Sequence, residues 1–181
     1  KEKVHIKPVD MWITMLITLE DSMEIQIIVV GKLKEKYLKN GIAEYLKRMK
    51  SYVNLKIIEV KDEAATQTLS DAEIEQVNEI EGKRIIEKLP DRARVIALDL
   101  KGKQLSSEAF SEEINETMTY GTSQIAFIIG GSHGLSPEVL QKTHLKISFG
   151  SMTYPHQLMR LILVEQIYRA FKIMRNEPYH K

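Results

Sequence analysis

Cysteine is absent from the 181 residues, tryptophan occurs once and proline five times. Without cysteine there is no disulfide, no thiolate zinc site and no cysteine nucleophile. The chain needs no oxidising compartment, and a cytoplasmic protein is expected. An excess of one charge is also missing: 26 Lys and Arg stand against 25 Asp and Glu, a formal net charge of +1. Bulk charge excludes a strongly basic nucleic-acid coat but not a local basic face. With 43% hydrophobic and 28% charged residues, the chain reads as globular, not disordered. Its length suits one domain with a real core.

No apolar run near the N-terminus is long enough to span a bilayer. Met11 to Leu19 falls short of the roughly 20 residues required. Lys1, Lys3 and Lys7 precede it as in a signal peptide, but Glu20-Asp21-Ser22 follows and no small-x-small cleavage site is present. No membrane association is expected. Met23 stands directly before the strand pattern Glu24-Ile25-Gln26-Ile27-Ile28-Val29-Val30-Gly31. Residues 1–22 are therefore expected to be an extension or leader outside the fold, and 23–181 a single domain. The alternative is an extra strand or helix packed on that domain.

From Met23 the patterns alternate. Strands are expected at 25–30, 53–60, 94–100, 124–129 and 144–149, from β-branched runs that end at Gly or polar residues. Helices are expected at about 34–51, 71–89 and 106–119, briefly after Ser136-Pro137, and at length after Pro155. Ser70 with Glu73 forms a capping-box signal, and Pro137 suits a first helical position. Strand–helix alternation predicts an α/β domain, a mainly parallel sheet with helices on both faces. The last helix is more apolar than one packing layer requires, which suggests a second packing partner, most simply another copy of the chain; the alternative is a central helix fully buried in the monomer.

Ligands of open α/β sheets bind beyond the carboxyl ends of strands. Three such ends are candidates: Leu98-Asp99-Leu100-Lys101-Gly102, Ile129-Gly130-Gly131-Ser132-His133-Gly134 and Phe149-Gly150-Ser151-Met152-Thr153-Tyr154. Neither a P-loop nor a Gly-x-Gly-x-x-Gly turn is present, and nothing has metal-ligand spacing. Apolar Leu98, Ile129, Phe149 and Met152 suit a flat ligand such as adenine, held by backbone polar groups. Ser132 beside His133 suggests a hydrolase, but sequence neighbours rarely pair as nucleophile and base, and Gly-x-Ser-x-Gly is absent. His133 reads as a turn residue and His144 as structural. His156, at a helix start beside Gly150, and His180, in the tail, are the better functional candidates. The tail reads almost equally well as plain disorder.

Charge is unevenly placed. Residues 31–62 carry nine Lys and Arg against four acids, residues 62–91 three against nine, and residues 155–181 five against two. Two basic elements on one face would make a phosphate-backbone footprint. A charged run more commonly marks a solvated face.

Taken together and in order, these segments resemble the ribosomal RNA large subunit methyltransferase H family, knotted methyltransferases of the SPOUT type. The resemblance is carried by Val30-Gly31-Lys32-Leu33-Lys34, Ala97 to Gly102, Phe127 to Gly134, Phe149-Gly150-Ser151-Met152-Thr153-Tyr154-Pro155-His156, Glu165 to Ala170 and Asn176-Glu177-Pro178-Tyr179-His180. It covers Met23 to Lys181. It implies a C-terminal trefoil knot, against the general rule, and a homodimer with the cofactor site near the partner subunit. It implies S-adenosylmethionine held by Leu98, Gly130 and Phe149, Gly150, Ser151, Met152, Thr153 and Tyr154. The implied reaction is methylation of N3 of a pseudouridine in helix 69 of large-subunit (23S) rRNA on the assembled ribosome. His156, Arg160, Arg169, Tyr179 and His180 are the candidates for substrate contact or for the base that takes the N3 proton. No metal is needed. A non-catalytic ribosome-binding or assembly factor of the same fold is the alternative.

Overall fold

Period-two alternation of apolar residues builds the centre of the molecule. In a computed structural model, which describes residues 23–64 and 68–180, five strands form one sheet. They are β1 (Glu24–Val30), β2 (Asn54–Val60), β3 (Arg94–Gln104), β4 (Gln124–Ile129) and β5 (Leu145–Ser148). Their order is β2-β1-β4-β3-β5 and every pairing is parallel. Central β1 and β4 are buried on both faces, so they read as nearly continuous hydrophobic runs. The expected leader, residues 1–22, lies outside the described residues.

Successive side chains of each strand feed two separate cores. Ile25, Ile27 and Val29 pack with Ile125, Phe127 and Ile129 on one face. Against them lie α1 (Lys36–Met49), α3 (Ser107–Glu116) and α5 (His156–Met174), through Met49, Phe110, Ile114, Leu163, Val164, Ile167 and Phe171. Ile28, Val30, Val95, Ala97 and Ile128 face the other way, onto Ile85 of α2 (Asp71–Ile86) and Val139 of α4 (Pro137–Gln141). Helices thus cover both faces, as the alternation predicts.

Local chemistry sets the helix ends. The Ser70 side chain accepts from the Glu73 N–H, and the Glu73 carboxylate accepts from the Ser70 N–H at 2.8 Å, a complete capping box. Ser136 caps α4 with Pro137 at its first position. Three boundaries differ from expectation by three residues or more. Helix α2 ends at Ile86 and gives way to turns before Pro90. Helix α3 ends at Glu116 and passes into a π-helical turn, Thr117–Gly121. Strand β3 continues beyond Leu100 to Gln104 through a bulge, so that Leu98 and Lys103 both pair with Ile147. Gly102 permits this: a Cβ there would come within 2.6 Å of the Ile147 backbone.

The tail is ordered, contrary to a reading of it as disorder. Asn176 adopts φ 50° after α5. Its N–H donates to the Ile173 carbonyl and the Glu177 N–H donates to the Lys172 carbonyl, the paired bonds of a Schellman cap. The chain therefore turns back, and Tyr179 packs edge-on against Tyr168 with ring centroids 5.0 Å apart. Among the described residues, no helix is long and apolar enough to cross a membrane.

Candidate active site

The carboxyl ends of β3, β4 and β5 are adjacent in the sheet, and the loops that leave them enclose a cleft of about 640 Å³. That is the size of a small-molecule site. Each of the three candidate strand ends supplies a wall. Leu98 and Leu100 come from β3, Ile129 and Gly130 from β4, and Phe149 and Gly150 from the loop after β5. Met152, Thr153 and Tyr154 close the rim, with His156 at the start of α5. Ser151 is exposed and lies outside the lining. Leu135, Leu140, Lys146 and Met159 also line the cleft and were not foreseen. Only the position of Leu135, directly after the glycine-rich turn, could have indicated one of them.

The glycines are there for space and conformation. A Cβ on Gly130 would meet the Gly134 carbonyl oxygen at 2.6 Å and a Leu135 methyl at 2.9 Å, so the turn folds tightly onto itself. Gly150 adopts φ +119° and its missing Cβ would face open space, a conformation that L side chains rarely adopt. Ser148 fixes that turn, donating its hydroxyl proton to the Gly150 carbonyl at 2.9 Å. The glycine-rich turn after β4 is also held from behind. The Asn78 side chain donates to the His133 carbonyl at 3.1 Å. Glu81 is buried directly behind Gly131, where a Cβ would meet its carboxylate at 2.6 Å. Burial, then the neighbouring Asp62 charge, pushes the Glu81 carboxyl above its usual range, opposed by a hydrogen bond from the Glu63 N–H.

The five catalytic candidates fall in three places. His156 is in the cleft, its Nε2 3.2 Å from the Ser132 hydroxyl. Burial first, and then the Arg160 charge, holds His156 below the ordinary histidine value, which favours the neutral, proton-accepting ring. Ser132 thus faces His156, not its neighbour His133, and among the described residues no carboxylate bonds to His156 to complete a hydrolase triad. His144 is structural: its Nδ1 accepts from the Val95 N–H at 3.0 Å.

Arg160 is buried, at 2% exposure, one helical turn after His156. It donates to the Val30 and Gly31 carbonyls at 2.8 Å and to Glu59 at 3.0 Å. It therefore ties the ends of β1 and β2 to α5 and does not reach the surface. Burial lowers its guanidinium from the usual value, and the Glu59 pair opposes that.

Arg169, Tyr179 and His180 form the third group. Arg169 pairs with Glu165 at 2.6 Å and lies 4.8 Å over the Tyr179 ring. Tyr179 donates to Glu165 at 3.0 Å, and His180 Nε2 meets Glu108 at 2.6 Å. Thirteen residues of helix, roughly 20 Å, separate Arg169 from His156. A single copy does not bring this group to its own cleft.

A family model described as "Predicted SPOUT methyltransferase" matches residues 23–180. A protein of Carboxydothermus hydrogenoformans named ribosomal RNA large subunit methyltransferase H is 64% identical over 159 residues, 88% of this chain and all of that one. This chain belongs to the methyltransferase H family. Relatives of the same name from Listeria monocytogenes and Enterococcus faecalis are 59% and 60% identical, over the same share of this chain and the whole of theirs. The match to the SPOUT methyltransferase model begins at Met23 and ends at His180, so it takes in the whole cleft and the Arg169–Tyr179–His180 group. Among the described residues, no group of three or more His, Cys, Asp or Glu is placed to hold a metal ion.

Proposed function

We propose that this chain is an S-adenosylmethionine-dependent methyltransferase of large-subunit rRNA. It acts on N3 of a pseudouridine in helix 69 on the assembled ribosome, as a cytoplasmic homodimer with a C-terminal trefoil knot. One observation carries the reading above the others: a glycine-built, largely apolar cleft with a half-buried, neutral-leaning histidine in it. The names of the relatives supply the substrate class. The wrapping of β5 by both halves of β3 is consistent with a threaded chain.

The cleft fits the cofactor by its chemistry. Leu98, Ile129 and Phe149 offer apolar surface for adenine and the methionine chain, and backbone groups at Gly130 and Gly150 offer the polar contacts. Bound there, S-adenosylmethionine supplies an electrophilic methyl group on a sulfonium sulfur. The protein then has two tasks. It must place N3 in line with that methyl, which accounts for most of the rate. It must also remove the N3 proton as the new N–C bond forms, a role this reading gives to His156 because it is the candidate that lines the cleft. Ser132 orients the ring through the bond to Nε2. Arg160 does not touch substrate but braces the strand ends behind His156. Arg169, Tyr179 and His180 contact the nucleotide from the second copy of the dimer.

Two measurements test the reading. Titration calorimetry should give saturable S-adenosylmethionine binding, and its absence at millimolar cofactor would sink the proposal. Mass spectrometry of large-subunit rRNA, from cells with and without the gene, should show one methyl group lost. Ribosome binding without methyl transfer would favour the assembly-factor alternative.

A further inference from the structure

Residues 31–39 leave β1 and enter α1 as Gly-Lys-Leu-Lys-Glu-Lys-Tyr-Leu-Lys. Lys32, Lys34, Lys36 and Lys39 are all exposed, and the Tyr37 ring is 67% exposed, while Leu38 points into the core. Parallel pairing places the end of β1 beside the end of β4, so this segment borders the glycine-rich turn of the cleft. A Cβ on Gly131 would come within 3.3 Å of Val30. The backbone here is braced. The Leu33 N–H donates to Glu59 at 2.7 Å, the Lys34 N–H to Gln157 at 2.9 Å, and Arg160 holds the Val30 and Gly31 carbonyls. Gln157 directly follows His156, so the segment is tied on a fixed scaffold to the helix start beside the cleft, although none of residues 31–39 lines it.

The other basic stretch is already committed to internal contacts. Arg160 is buried, Arg169 pairs with Glu165, and Lys172 pairs with Glu177. At the far end of α1, Arg48 pairs with Glu44. Among the described residues no such pair involves Lys32, Lys34, Lys36 or Lys39. Helix α1 has no acid in its first turn, so these cations also oppose the helix dipole. Folding gains nothing from four lysines and an exposed tyrosine arranged in this way. A polyanion carrying stackable rings would gain from both.

We propose that residues Lys32 to Lys39 bind the RNA strand flanking the target nucleotide, with the lysines on phosphates and the Tyr37 ring stacked on an unpaired base. This rests on the rRNA methyltransferase reading. Lysine is a point charge on a flexible stem, so the contact supplies affinity and register without reading sequence. Tyr37 adds the sequence-tolerant stacking that single-stranded RNA allows.

The test uses the full chain, a Lys34→Glu/Lys36→Glu double variant, Tyr37→Ala and Tyr37→Phe. Fluorescence anisotropy with a labelled RNA hairpin reads binding directly. A tritiated-methyl assay on undermodified ribosomes reads KM across a KCl series. Charge reversal should raise the RNA Kd and the ribosome KM about tenfold or more, and flatten the log–log salt dependence by a slope of about 1–2. Tyr37→Ala should weaken binding about tenfold, with Tyr37→Phe restoring it. S-adenosylmethionine affinity should not move, and the melting temperature should not fall. Unchanged RNA affinity in the double variant overturns the proposal, whether or not ribosomes are methylated. RNA binding that depends on the lysines in a protein that methylates no ribosome would support the surface and remove the reading beneath it. Equal loss of poly-glutamate and RNA binding, with no effect of Tyr37→Ala, makes the segment an acidic-protein site and overturns the RNA assignment.

Discussion

His156 is half-buried against Ser132, and its depressed basicity has a measurable consequence. The neutral ring persists to lower pH than in an ordinary histidine. The acid limb of the methylation rate should therefore have its midpoint below 6.5, read from a kcat–pH profile. His156→Ala should lower kcat by about 100-fold while cofactor affinity stays the same. At Gly130, a Val side chain would meet the Gly134 carbonyl and displace the turn, so Gly130→Val should abolish saturable cofactor binding by calorimetry. Glu81 gives a stability test. Its folded value is raised, so its contribution to stability is present below the ordinary value of 4.5 and is lost as pH rises through the folded value. Glu81→Gln keeps the acceptor for the Glu63 N–H. It should raise the melting temperature at about pH 8 and have little effect at about pH 4. The cleft residues Leu98, Gly130, Phe149, Gly150, Met152, Thr153 and Tyr154 were legible because glycine directly after a buried strand marks close approach, whereas Ser151, expected with them, lies outside the lining. The fate of Arg160 was not, because an arginine in the first turns of a helix reads as exposed. The Ser132–His156 contact joins residues 24 apart in sequence, and nothing local announces it.

At the scale of elements, α2 and α4 meet where Gly82 faces Ser136. A Cβ on Gly82 would lie 2.2 Å from the Ser136 hydroxyl oxygen, which is also the α4 cap. Gly82→Ala should therefore destabilise the fold by about 1–3 kcal/mol through overpacking, read from the urea midpoint. Its better helix propensity does not offset that. All five strands and all five described α-helices were legible in the alternation of patterns, and Ser70 and Ser136 marked two helix starts. The extension of β3 was not legible, since Lys101-Gly102 looks like a stop. Only the approach of Ile147 shows that Gly102 is a crossing point. Tail order was hidden for a similar reason. Its anchors, Glu108, Glu165 and Tyr168, come from other elements.

At the scale of the molecule, the sheet order places β3, β4 and β5 side by side, and the cleft follows from that adjacency. Alternation gives the class of fold but not the order, which depends on long-range pairing. On the homodimer proposed above, the separation of His156 from the Arg169 group predicts complementation between copies. His156→Ala and Arg169→Ala should each keep only about a hundredth of the activity alone. Unfolded together and refolded, they should recover about a quarter of wild-type methylation, because half of random dimers hold one intact site. No recovery would place both groups in the same copy.

The sheet has two edges, and each is closed in its own way. On β2, Asn54, Lys56 and Glu59 are exposed, and Lys56 pairs with Glu24 of β1. A charged edge of this kind repels an incoming strand. β5 is only four residues long and is overlain by the Asp99–Gln104 segment, whose Gly102 touches the Ile147 backbone. Solubility at high concentration therefore depends on that crossing. Gly102→Ala should expose β5 and produce aggregates by light scattering before any loss of helix is seen by circular dichroism. The same wrap that shapes the cleft would then also keep the sheet from growing into a neighbour.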